Sequence, residues 1–225
     1  RKASSSSMAA TLSLTLACSR SDMRSHLVQR RTTISEMQRM KTAAAAAEHW
    51  ASDAVSTYDR HVVVKQLCFT KHASHVGIAG AILARILGQP DTIKLSCPWV
   101  LLLCVTVART HDPVYLEQIV RLKSSWTDLS MAVDSTLLFE FSPKAKRETA
   151  VEDTVEWVKG ETDETFPYKG ETGEAIRAMV LRYAAQYGSE AVVRAWDGYR
   201  DAAAFSKRFD LSKKGELSHA TLSGY

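Results

Sequence analysis

Asparagine is missing from the 225-residue chain, which also has only ten glycines and five prolines, none of them before Gly77. Without asparagine there is no acceptor for N-linked glycosylation. So few turn-forming residues, set among abundant alanine and arginine, predict an all-α chain. Cysteine is sparse too: Cys18, Cys68, Cys97 and Cys104 include no Cys-x-x-Cys pair. That number and spacing argue against a secreted disulfide framework and for a reducing compartment, where a free cysteine behaves as a small buried hydrophobe. The run Cys97–Ala108 is twelve residues without a charge. A bilayer span needs about 20 residues, so this run reads as a buried core helix and no transmembrane segment is expected.

Catalytic signatures are also missing. Gly77-x-x-Gly80 lacks the strand, third glycine and lysine of a phosphate-cradling loop, and neither Gly-x-Ser-x-Gly nor His-Glu-x-x-His occurs. No cofactor is implied. With 45% hydrophobic and 24% charged residues the composition is that of an ordinary globular chain. A chain of this length buries about 70% of its unfolded surface, enough for a core without metals or disulfides.

Charge is present but unevenly placed. Residues 1–112 carry fourteen Lys and Arg against seven Asp and Glu, whereas residues 113–225 carry fifteen against eighteen. The net +4 is therefore a difference between a basic head and an acidic waist. Within 148–174 nine carboxylates face two lysines. Opposed blocks of this kind suggest two regions that dock on each other, within or between chains.

Residues 1–32 form a basic, Ser/Ala/Arg-rich arm with Asp22 as its single acid. This is the composition of a mitochondrial or plastid targeting segment, or of an arm that grips a partner. The expected location is organellar, otherwise cytoplasmic, and not secreted. A single helical domain is expected over 33–209, followed by a tail over 210–225. Thr33-x-x-Glu36 has capping-box spacing. From there a 3-4 alternation runs through Met37, Met40, Ala44, Ala47, Ala51, Ala54, Tyr58, His61, Lys65, Cys68, His72 and His75. It predicts one long N-terminal helix over about 34–60, continued to Thr70, with an alanine seam for a partner helix.

Shorter helices follow, to a total of about seven in a bundle. Ser74 and Gly88 bracket one, Ser96 and Pro98 open the next, and Asp112-Pro113 opens a third. Residues 126–141 read as helix or, at their end, strand, and Ser142-Pro143 opens a helix to Lys159. Residues 160–173 read as a loop. Ala175 to Tyr187 trace a helix ending at Gly188, and Ser189 caps another with Val192, Val193, Trp196 and Tyr199 inward and Phe205 and Phe209 later. The one-residue gap predicts a C-terminal helical hairpin.

Three functional expectations follow. The first is a non-enzymatic structural or accessory subunit of a larger, organellar assembly, with Glu161, Asp163 and Glu164 in its docking surface and other subunits or further copies as partners. The second is an RNA-binding coat protein or nucleoprotein whose phosphate contacts come from Arg24, Arg30, Arg31, Arg39 and Lys41. Arginines among Tyr183, Tyr187, Trp196 and Tyr199 would fit base stacking, but the aromatics fall at helix-core spacing. The third is a helical metalloprotein: Cys68, His72 and His75 at i, i+4 and i+7 would share one helical face, with His61 or Cys104 as a fourth ligand.

Overall fold

The computed structural model describes residues 33–88, 97–125, 128–142, 146–161 and 165–200, which lie within one compact unit, Thr32–Tyr225. Among the described residues every regular element is helical: α1 (Ile34–Gln38), α2 (Ala43–Ala51), α3 (Thr57–Phe69), α4 (Ala73–Gly88), α5 (Cys97–Ala108), α6 (Leu116–Lys123), α7 (Asp128–Ala132), α8 (Ala150–Gly160), α9 (Gly170–Ala184) and α10 (Ser189–Arg200). Three 3-10 turns, Pro113–Tyr115, Ser135–Glu140 and Arg147–Thr149, complete the series. None of these helices is long and apolar enough to cross a membrane. The arm at 1–32, Phe205, Phe209 and the tail at 210–225 lie outside the described residues.

The core is organised around α5. From Trp99 to Ala108 every side chain is buried. A helix apolar on all sides has no face to give to water, so it is enclosed by neighbours. Here these are α3, α4, α7 and the 135–140 turn. Each Leu or Val so enclosed contributes about 1.5–3 kcal/mol of transfer free energy. Helix α2 lies along α4, where Gly77 comes close to Ala43 and small residues permit a close approach.

The long N-terminal helix is not one helix. It is divided into α1, α2 and α3, although no glycine or proline interrupts the span. Hydroxyls restart the helix each time. Thr33 forms the full capping box with Glu36, Thr42 Oγ accepts from the Ala45 amide, and Ser56 Oγ accepts from the Asp59 amide. Ser and Thr offer the backbone an alternative partner, and that competition suffices where the seam is alanine and supplies little apolar area to hold it straight. The expected seam is accordingly broken: Met37, Ala47, His61, Cys68 and His75 are buried, while Ala44, Ala54, Tyr58 and His72 are exposed.

Further differences have equally local causes. Ser74 lies inside α4, and the imidazole Nδ1 of His72 takes its amide. Residues 135–140 form a 3-10 turn with all six side chains buried, capped by Asp134, whose Oδ1 accepts from the Thr136 amide and hydroxyl. With only Leu137, Leu138 and Phe139 apolar between Thr136 and Glu140, the segment is too short to carry a period that would distinguish these outcomes. Asp112 and Pro113 do open a helical segment, with Asp112 Oδ1 on the Val114 amide. The expected C-terminal hairpin takes another form. Helices α9 and α10 each pack on α8, and Ser189 ties α10 to it by accepting from the Val151 amide and donating to Glu152.

Candidate functional site

The scarcity of glycine and the lack of asparagine have a structural counterpart at the helix ends. Those residues normally supply the left-handed cap that satisfies terminal carbonyls. In this chain cationic side chains from elsewhere take over several of these ends. Arg60 donates from Nε to the Trp50 carbonyl at 3.0 Å and from Nη2 to those of Ala51 and Ser52 at 3.1 and 2.8 Å, closing α2. Lys123 Nζ reaches the Ser130 and Val133 carbonyls at the end of α7. Arg177 donates to Val158 and Glu161 carbonyls at the end of α8 while stacking 4.5 Å from the Phe166 ring centroid. Arg109 serves two helices: its Nη1 donates to the Cys68 carbonyl at 2.6 Å, and its Nη2 to the Tyr199 carbonyl. A positive charge at a helix C-terminus is also favourable to the macrodipole.

These contacts decide much about the residues singled out from the sequence. Arg177 is occupied with the α8 carbonyls, while Trp196 and Tyr199 are buried in the core and Tyr183 and Tyr187 pack half-buried against it. Of the five cations expected to meet phosphate, Arg24, Arg30 and Arg31 lie outside the described residues. Arg39 and Lys41 are exposed between α1 and α2, and Arg39 Nε donates to the Ser35 carbonyl at 3.1 Å. Of the three docking carboxylates, Asp163 and Glu164 lie outside the described residues, and Glu161 is half-buried at the end of α8.

Cys68, His72 and His75 do meet, around a cleft of about 670 Å3, but not on one helical face. Helix α3 ends at Phe69, so Cys68 belongs to α3, His72 to the following turn and His75 to α4. Each is engaged. The Cys68 thiol lies 3.7 Å from Arg109 Nη1, and burial, only partly offset by that guanidinium, raises its pKa. The His75 imidazole has Nδ1 3.0 Å from the Thr70 carbonyl and Nε2 2.9 Å from Gln38 Nε2. A carbonyl can only accept, so Nδ1 carries the proton and Nε2 accepts from Gln38. Burial lowers the His75 pKa and keeps it in that neutral form. The two further candidates are placed apart: His61 Nδ1 accepts from the Trp99 indole at 2.5 Å, and Cys104 is fully buried in α5. Among the described residues no group of three or more His, Cys, Asp or Glu is arranged to hold a metal ion.

The acidic waist is likewise mostly surface. Glu148, Glu152 and Glu156 line the exposed side of the α8 segment, and Glu171 and Glu174 the first turns of α9. Asp153 accepts from the Lys146 amide at 2.7 Å and the Thr149 hydroxyl at 2.7 Å. Those bonds hold its carboxyl below the usual range, which suits a helix cap and not a general acid.

No family model, curated protein or solved structure matches the chain. Its functional reading therefore rests on its own residues.

Proposed function

We propose that the protein is a non-enzymatic helical subunit of a larger protein assembly. In this reading, the exposed carboxylates of α8 and α9 on one subunit receive a basic segment of its neighbour. The observation that carries it is the opposition of charge. The helical unit displays Glu148, Glu156, Glu171 and Glu174 on exposed positions, and residues 1–31 carry six Lys and Arg against one Asp. Opposite potentials of this kind steer association and fix orientation more than they add affinity. Supporting it, the buried histidines and cysteines described above serve packing and capping. The organellar location expected from the arm's composition belongs to the same proposal, and the mature N-terminus, read by mass spectrometry, tests it.

The assembly itself is tested by light scattering on the purified chain at about 50 and 500 mM salt, a range over which exposed charge pairs become screened. Association at low salt that is lost at high salt, and lost in a Glu156→Lys, Glu171→Lys, Glu174→Lys variant, is the expected result. A monomer at every concentration and salt, with no stable protein partner recovered from its source, rejects the reading.

A further inference from the structure

We propose that the cleft between the end of α3, the start of α4 and the end of α5 binds a small organic anion, a phosphate monoester or carboxylate carrying an apolar body. Its volume, about 670 Å3, lies within the range of roughly 300–1,000 Å3 typical of small-molecule sites. Its lining includes Lys71, His72, His75 and Arg109 and no Asp or Glu. Leu67 and Val76 provide apolar wall.

The donors are available as well as present. His72 Nδ1 accepts from the Ser74 amide at 3.2 Å, so the neutral ring keeps its proton on Nε2, which makes no bond to any other described residue. Lys71 is exposed at the rim. The bonds from Arg109 to the Cys68 carbonyl, the Cys68 thiol and the Tyr199 carbonyl do not exhaust its fork of donors. No carboxylate among the described residues forms an ion pair with Arg109, whose hydrogen bonds go to two carbonyls and the Cys68 thiol. The threonines of the wall are turned the other way: Thr106 and Thr110 donate their hydroxyls to the Leu102 and Val107 carbonyls. Their oxygens are engaged as well, Thr110 Oγ1 accepting from the Asp112 amide at 3.2 Å and Thr106 meeting the Cys68 thiol, so an anion is held by the cations and His72. A neutral ligand of the same shape would leave two cations without a counter-charge, and an unsubstituted phosphate would leave the apolar wall uncovered.

The test uses the full chain and four probes: phenyl phosphate, phenylacetate, inorganic phosphate and benzyl alcohol. Histidine ring resonances report on the cleft directly, because His72 and His75 are both part of it. Phenyl phosphate or phenylacetate is expected to shift both rings saturably and at least about tenfold more tightly than benzyl alcohol, given two cations in the lining. Whichever of the two anions binds more tightly identifies the head group. Lys71→Glu is expected to weaken binding roughly fivefold or more and Lys71→Arg to preserve it. Thr110→Glu, on the opposite wall, provides a second charge probe should the first variant fold poorly. Equal binding of benzyl alcohol, inorganic phosphate matching the aryl anions, no saturable shift, or indifference to a folded Lys71→Glu variant would each overturn the proposal. Displacement of phenyl phosphate by an oligouridylate that binds more tightly would overturn it too, by assigning the cleft to a nucleic-acid backbone.

Discussion

Trp50 and Arg60 hold each other in both directions. The indole Nε1 of Trp50 donates to the Arg60 carbonyl at 3.2 Å, and Arg60 Nε donates back to the Trp50 carbonyl at 3.0 Å. The guanidinium also lies 5.9 Å from the Trp50 ring centroid, and both residues are buried. This reciprocal pair makes the turn between α2 and α3 a fixed corner, since it satisfies the last carbonyls of one helix from the first turn of the next.

Replacing Arg60 by methionine keeps much of the side-chain length but leaves the Trp50, Ala51 and Ser52 carbonyls without their donor. A loss of roughly 2–4 kcal/mol is expected, read from the urea midpoint at constant slope. Arg60→Lys should recover only part of it, because an ammonium cannot reproduce the planar fork. A methionine variant as stable as the parent would show that water takes over these carbonyls.

Gly80 is needed for space. A Cβ built there would lie 2.5 Å from Cε1 and 3.2 Å from Cδ1 of Tyr115, so α4 and the 113–115 turn approach across this residue. Gly80→Ala should cost about 1–3 kcal/mol by overpacking. Combining it with Tyr115→Ala should cost less than the two single changes added together. Strict additivity in that cycle would place the two residues out of contact.

Acid should loosen the contact between α1 and α4. The His75 pKa is lowered from its ordinary 6.5, with burial as the main cause. A depressed base contributes stability that is present above its unfolded pKa and lost as pH falls through the folded value. Protonation turns Nε2 from acceptor to donor against Gln38 Nε2, so the amide must flip or withdraw. Stability should therefore fall below pH 6.5, and His75→Phe should reduce that fall; a pH profile unchanged by the substitution excludes His75 as its source.

Alkali should act on the same core from the other side. Burial is the main cause in each of four cases: Cys68 and Cys104 are raised above 9.0, Tyr115 above 10.0, and Tyr168 from 10.0 to about 12. Stability carried by a raised acid is complete below its unfolded pKa and is lost as pH climbs toward the folded one. Denaturation midpoints should decline from about pH 9 upward, and Tyr168→Phe should flatten the part between pH 10 and about 12. An identical alkaline limb in the phenylalanine variant would count against this origin.

What the sequence determined alone lies close together in the chain. Thr33 with Glu36 and Asp112 with Pro113 define helix starts, because a cap acts within three residues. Ile176, Val180, Val192 and Trp196 are buried as their 3.6-residue spacing requires, and the charge-free run is the innermost helix. The partners that decided the rest are distant. Periodicity cannot show that Ser52–Ser56 turns a corner, because the cation that stabilises that corner arrives from Arg60 on the next helix. Nor can it show Phe166 and Tyr168 buried in an acidic, turn-rich segment, where the Trp157 ring and the Arg177 guanidinium receive Phe166. The helix-closing cations lie from 10 to 90 residues away from some of their carbonyls. Where a chain lacks the residues that end helices locally, the ends are settled by whichever donors the fold brings to them. The same rule made the cleft: Arg109 is one of several arginines in the sequence, and only the tertiary structure places it beside Lys71 and His72 with no described carboxylate paired to it.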